Sequence, residues 1–212
     1  MHGGNLQAAK ARYGLDSFID LSANINPFGP PKGVWDVLKN CQEKIIHYPD
    51  PESRHLRQLM AEKYNLAKEE ILLGNGAGEL IFLAMFALKP RKVLIPEPAF
   101  SEYERAALSL GAEIKRIQMG ERGWTSQDLS DEGILAQWKE GLKECDLVFL
   151  NSPHNPTGSV LTEKQFYQLL KLAREYQRMI VLDESFVDFL DEDLRWTGRD
   201  YLNYPNLIVL YS

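Results

Sequence analysis

From residue 71 to residue 210, short apolar runs alternate with stretches whose apolar residues recur every three or four positions. No other feature constrains the fold of this chain as tightly. Strand candidates fall at residues 71–73, 93–95, 113–118, 147–150, 179–182 and 207–210. Between them, Leu80, Leu83, Ala84, Ala87 and Leu88 lie at helical spacing. Residues 101–110 form a second helix candidate stopped by Gly111, and residues 134–143 a third. Thr162 with Gln165 three positions later is a capping-box signature for a helix through Tyr176. Such a repeat implies an α/β fold, a mainly parallel sheet with helices on both faces. Sheets of that kind bind ligands beyond the carboxyl ends of their strands, so the residues that end each apolar run are the first candidates for a site.

The chain ahead of this region reads differently. Residues 1–31 are rich in Gly, Asn and Pro around a short helix candidate near Leu6 to Tyr13. A second helix is expected over residues 33–44, and Ser53 is placed to cap a third that runs to Tyr64. The domain reading is an N-terminal arm and small-domain segment over 1–45, then a large domain over 46–212. A formal charge of −6 with no Lys/Arg run argues against a nucleic-acid surface. Cys41 and Cys145 lack metal-like spacing, so neither a zinc site nor a disulfide framework is expected. With no apolar stretch near membrane-spanning length and no basic-then-apolar leader, the expectation is a cytoplasmic protein without membrane contact.

Two strand ends carry polar groups suited to chemistry. The run Val148-Phe149-Leu150 stops at Asn151 and leads through Ser152-Pro153-His154 to Asn155-Pro156-Thr157-Gly158. The run at 179–182 stops at Asp183, followed by Glu184-Ser185-Phe186. A carboxylate at the end of an apolar strand is costly unless it is paired. The glycine-rich turn at 74–78 separates a strand candidate from a helix candidate, where main-chain N–H groups can hold a phosphate without a basic side chain. It is not a nucleotide-binding loop of the usual kinds, since no Gly-Lys-Ser/Thr follows and Glu79 stands where a third glycine belongs. A tight turn without a ligand explains it equally well. Read without further context, Tyr103 is a core aromatic, Tyr48 a turn aromatic and His2 part of a loose end. His47, His55 and His154 show no ligand spacing and are assigned structural or solvent-facing roles.

Asn-Ser-Pro-His-Asn-Pro-Thr-Gly followed by Val-Leu-Asp-Glu-Ser-Phe resembles the core of fold type I pyridoxal-phosphate enzymes of the aminotransferase class I/II group. Within it, His2-Gly3-Gly4-Asn5 and Leu21-Ser22-Ala23-Asn24-Ile25-Asn26-Pro27 are similar to the start of threonine-phosphate decarboxylases, which serve cobalamin biosynthesis and whose near relatives are histidinol-phosphate aminotransferases. The resemblance implies pyridoxal 5'-phosphate as cofactor. It maps the phosphate cradle to Gly76, Ala77 and Gly78, a ring-stacking aromatic to Tyr103, the partner of the ring nitrogen to Asp183, and a donor to the phenolic oxygen to Asn155. Asp183 and Tyr103 take catalytic roles in this mapping. Tyr48 matches a residue that reaches the cofactor phosphate of a neighbouring subunit, which implies a homodimer. His2, Gly3, Asn24 and Asn155 are mapped to the substrate, a small phosphorylated amino acid.

Two departures stand out. Phe186 replaces a tyrosine common in the aminotransferases, which favours decarboxylation of L-threonine O-3-phosphate to aminopropanol phosphate. Ala77 and Gly78 replace hydroxyl or carboxylate residues, leaving more of the phosphate binding to the main chain. Relatives place a Schiff-base lysine a few residues beyond the strand that ends at Leu210, whereas the last lysine here is Lys171. The expectation is therefore a cofactor-binding scaffold truncated before the catalytic lysine. The alternatives are a histidinol-phosphate-type aminotransferase, or an inactive remnant that binds the cofactor alone.

Overall fold

The computed structural model describes residues 3–119, 121–125 and 129–212. It divides into two compact units, Met1–Leu73 and Gly74–Ser212.

The second unit contains a five-stranded, wholly parallel sheet in the order β2-β1-β3-β4-β5. Its strands are β1 (Lys92–Glu97), β2 (Glu113–Gln118), β3 (Leu147–Asn151), β4 (Met179–Asp183) and β5 (Leu207–Leu210). Alternation of side chains along each strand sorts the core into two layers. Val93, Ile95, Leu147, Phe149 and Val181 pack with Ile81 and Met85 of α5 (Gly76–Leu88) and with Tyr103 and Ala106 of α6 (Ser101–Ser109). Leu94, Val148, Leu150, Ile180 and Leu182 pack on the opposite face with Trp138 and Leu142 of α7 (Glu132–Glu144) and with Phe166, Leu169 and Leu170 of α8 (Glu163–Glu175). Every residue of β3 is buried, as expected of a central strand covered on both sides. At Gly141, α7 comes so close to β1 that an added Cβ would lie 2.8 Å from both methyl carbons of Leu94.

The chain leaves β1 through α6 to reach β2 on one side, then returns through α7 to β3 on the other. This reversal makes the crevice between the carboxyl ends of β1 and β3 the switch point at which such sheets take ligands. The capping box at α8 forms as its sequence requires, with Gln165 N–H donating to Thr162 Oγ1 at 3.3 Å and Thr162 N–H to Gln165 Oε1 at 3.0 Å.

The first unit contains α1 (Leu6–Tyr13), α2 (Lys32–Lys39), α3 (Gln42–Ile45) and α4 (Arg54–Tyr64). Among its described residues only Ala61 is buried. Three sequence expectations change here. The helix expected over 33–44 is broken, because the Asn40 side chain donates to the Asp36 carbonyl at 2.9 Å and ends α2. Asp50, not Ser53, caps α4: Arg54 N–H donates to Asp50 Oδ2 at 2.9 Å, while Ser53 takes a left-handed conformation. Residues 71–73 form no strand. Ile71 is extended, but among the described residues no strand pairs with it, and Leu72 is 69% exposed. A three-residue apolar run has little to hold it extended without a ladder partner.

Candidate functional site

At the carboxyl end of β4, Asp183 is 3% exposed and both its oxygens are occupied. Ser185, two residues on, donates its N–H at 3.0 Å and its hydroxyl at 2.6 Å to Oδ1, closing a local Asx turn. The Tyr103 hydroxyl, 2% exposed and delivered by α6, donates to Oδ2 at 2.6 Å. The Tyr103 ring lies flat on Phe149 of β3, with centroids 4.7 Å apart and planes 9° apart, and edge-on to Phe100 at 5.7 Å. Burial, with the Asp183 carboxylate beside it, holds the Tyr103 phenol well above the ordinary tyrosine range.

Asn151 ties the two polar strand ends together. Its amide Nδ2 donates to the Asp183 main-chain carbonyl at 3.0 Å, and its Oδ1 accepts from the Asn155 N–H at 2.6 Å. The Asn155 main chain is thus anchored to the strand ends. Its side-chain amide makes no hydrogen bond among the described residues and stays available.

The intervening His154 is buried. Its Nδ1 meets Thr157 Oγ1 at 2.8 Å, Thr157 Oγ1 meets Ser159 Oγ at 2.9 Å, and its ring also bonds the Pro98 carbonyl. Pro98 lies in the loop after β1, so His154 joins the two loops that flank the switch point. Burial lowers its pKa below the ordinary histidine value, opposed by the bond to Pro98. Glu184 is fully enclosed, accepting from Gly198 N–H at 2.6 Å and from the Thr197 hydroxyl at 2.9 Å. Burial raises its pKa despite those donors.

The amino end of α5 is built in the opposite manner. Gly76 opens the helix at φ +81°, and a Cβ added at Gly76 or Gly78 would meet nothing within 4 Å. The side chain of the N-cap residue Asn75 makes no capping bond; instead Glu79 Oε2 accepts from Asn75 N–H at 2.5 Å. Among the described residues, the main-chain N–H groups of Ala77 and Gly78 have no hydrogen-bond partner. Unpaired donors at the positive end of a 13-residue helix suit a phosphate or another anion.

Of the remaining expected residues, Gly3, Asn24 and Tyr48 belong to the first unit. Gly3 and Asn24 are exposed, and the Gly4 N–H donates to Ser22 Oγ at 2.8 Å, which brings residues 3–4 beside the 20–24 segment. Tyr48 is 102% exposed, and His2 lies outside the described residues. Lys171 belongs to α8, with its Nζ 5.5 Å from the Tyr167 ring centre. Phe186 packs tilted against Phe189 at 6.1 Å. Among the described residues, no group of acidic, His or Cys side chains could hold a metal, and no helix is long and apolar enough to cross a membrane.

Three residues have bonding roles that the sequence does not assign: Ser185, Asn151 and His154. Ser185 was legible in principle, because an aspartate with a serine two residues on is an Asx-turn pairing. Asn151 was noted as a strand end, but its bridging role depends on β3 lying beside β4. The burial of His154 has no local signal.

Comparison with known proteins agrees with this architecture. The chain is 36% identical over 196 residues to the threonine-phosphate decarboxylase of Salmonella typhimurium, covering 91% of this chain and 52% of that protein. The histidinol-phosphate aminotransferase structure from Clostridium acetobutylicum superposes with a TM-score of 0.74 at 29% identity, covering 90% of this chain and 54% of that one. The histidinol-phosphate aminotransferase of Sinorhizobium meliloti, solved with pyridoxal-5'-phosphate, shares the fold with a TM-score of 0.77 at 22% identity, over 90% of this chain and 50% of that one. The chain therefore spans about half the length of the relatives it matches. The profile of aminotransferase class I and II matches residues 16–212, and by that match the chain belongs to the aminotransferase class I and II family.

Proposed function

We propose that this chain is the cofactor-binding part of a pyridoxal-phosphate enzyme that decarboxylates L-threonine O-3-phosphate in cobalamin biosynthesis. The observation that carries the cofactor reading is the pairing of an open helix terminus, with unpartnered Ala77 and Gly78 N–H groups, and a buried carboxylate at the end of β4. One suits a phosphate and the other a protonated ring nitrogen, the two ends of pyridoxal 5'-phosphate. When bound, that cofactor supplies an electron sink for charge developing at the substrate's α-carbon.

The chain's own residues provide the rest. The N–H groups of Ala77 and Gly78 bind the phosphate, aided by the helix dipole, whereas the Gly76 N–H is taken by the Gly74 carbonyl at 2.9 Å. Asp183, kept in place by Ser185 and Asn151, holds the proton on the ring nitrogen. The free amide of Asn155 donates to the phenolic oxygen. Burial of Asp183, 3% exposed, keeps water from the carboxylate and strengthens its interactions.

The choice of reaction rests on 36% identity to a threonine-phosphate decarboxylase and on Phe186, which lacks the hydroxyl common at this position in the aminotransferases. Homodimerisation and a cytoplasmic location are part of the same reading. A histidinol-phosphate aminotransferase is the second reading, favoured by the 29% identical structure. The two are separated on the full-length form that carries the Schiff-base lysine, by incubating it with L-threonine O-3-phosphate and measuring carbon dioxide, and with histidinol phosphate and a 2-oxo acid and measuring amine transfer. Carbon dioxide release without amine transfer is expected; the reverse pattern replaces the decarboxylase with the aminotransferase.

A further inference from the structure

The cofactor reading assigns Asp183 to a ring nitrogen, yet the structure gives that carboxylate a different ring. Tyr103 presents a flat six-membered aromatic with a hydrogen donor at one end, aimed at Oδ2 from 2.6 Å. A protonated pyridine has the same description. The Tyr103 ring is stacked on Phe149 and braced edge-on by Phe100, as a bound aromatic would be. With Asp183 3% exposed and Tyr103 2% exposed, no open face remains through which a second ring could reach Oδ2. Oδ1 offers no alternative, since both Ser185 donors converge on it.

A buried carboxylate without a partner is expensive, so an unloaded site needs something at Oδ2. We infer that Tyr103 is an internal stand-in for the cofactor ring: it satisfies Asp183 while the site is unloaded and withdraws its hydroxyl when a ring nitrogen takes over. This rests on the cofactor reading above and adds to it a gate made of one side chain. The exchange is favourable at the carboxylate, because a neutral O–H donor is replaced by a charged N–H donor. It also slows loading, because the stand-in must leave first.

The test uses the 212-residue chain, pyridoxal 5'-phosphate as the probe, and quenching of the four tryptophans as the signal. Tyr103→Phe keeps the ring and removes only the hydroxyl. It is expected to bind pyridoxal 5'-phosphate about tenfold faster and tighter than the parent, with the affinity for inorganic phosphate unchanged. In the parent chain labelled with carbon-13 tyrosine, the resonance missing from Tyr103→Phe is expected to shift at saturating cofactor. If pyridoxal 5'-phosphate binds but that resonance stays put, or Tyr103→Phe loads no faster than the parent, Tyr103 is a fixed wall and the stand-in is overturned while the cofactor reading survives. If neither chain binds pyridoxal 5'-phosphate, both ideas fall together.

Discussion

The carboxyl end of β4 and the amino end of α5 belong to the same unit and are finished in opposite ways. At β4 every acceptor is taken: Ser185 and Tyr103 satisfy the Asp183 carboxylate, and Asn151 and Ser152 satisfy its carbonyl. At α5 the main-chain N–H groups of Ala77 and Gly78 have no partner among the described residues. The difference follows from solvent. An exposed N–H can be hydrated at little cost and can wait for a ligand, whereas a buried carboxylate cannot be left alone. In the proposed site, the open end is free to meet a ligand, while the closed end already has its donors.

The largest effect is expected from Asp183→Ala, which leaves the Tyr103 hydroxyl and both Ser185 donors without their acceptor. Loss of about 2–4 kcal/mol in denaturant unfolding and at least a hundredfold loss of pyridoxal 5'-phosphate affinity are expected. Unchanged stability would show that the sealed end is not the strongly coupled one.

His154 lies in the loop after β3 and bonds Thr157 in its own loop and Pro98 in the loop after β1. His154→Asn should lower stability by about 1–2 kcal/mol at neutral pH through the lost bonds to Thr157 and Pro98. Because its folded pKa lies below the ordinary 6.5, the native state takes up its proton less readily than the unfolded chain. The parent is expected to lose stability as pH falls below 6.5, and the variant to lose that part of the slope; parallel pH–stability curves would remove His154 from the account.

Tyr103 gives the complementary alkaline signature. Its folded pKa is raised, so its contribution is complete below the ordinary tyrosine value and declines as pH climbs above about 10 toward the folded one. Thermal unfolding between pH 9 and 11 should fall less steeply in Tyr103→Phe than in the parent. Identical curves would mean that the phenol ionises as freely in the fold as outside it.

The smallest effect belongs to the open end. Glu79 places a carboxylate in the first turn of α5, close to where an anion would sit. Glu79→Gln should raise the affinity for inorganic phosphate about threefold, read by isothermal titration, with unfolding midpoints unmoved. A weaker phosphate complex would indicate that Glu79 organises the turn instead of competing with the ligand.

Much of the architecture was written in local patterns. The capping box at Thr162 and Gln165, the helix at Leu80 to Leu88 and the apolar runs of β3 and β4 each depend on neighbours within a turn or two, so they could be read without the fold. Residues 71–73 carried the same apolar signal and form no strand, because strand identity depends on a partner that is distant in sequence. Ser53 was a sound N-cap by residue type, but Asp50 reaches the α4 donors first. Phe186 and Ala77 could be compared with family patterns; the enclosure of Glu184 by Gly198 and Thr197 could not, since it depends on a chain excursion of 14 residues returning to the sheet.

What the amino-acid sequence determined by itself is the alternation that makes a parallel sheet, the polar residues that end its strands, and the glycine turn that opens α5. All three follow from short-range periodicity and backbone freedom. Tertiary structure alone decided which of those polar groups would meet. Asp183 and Tyr103 are 80 residues apart in the chain and 2.6 Å apart in space, because α6 packs on the face of β3 and β4 that carries Phe149 and Val181. A hydrogen bond of that span is set by the order of strands in the sheet and the faces its helices cover, which no local pattern encodes.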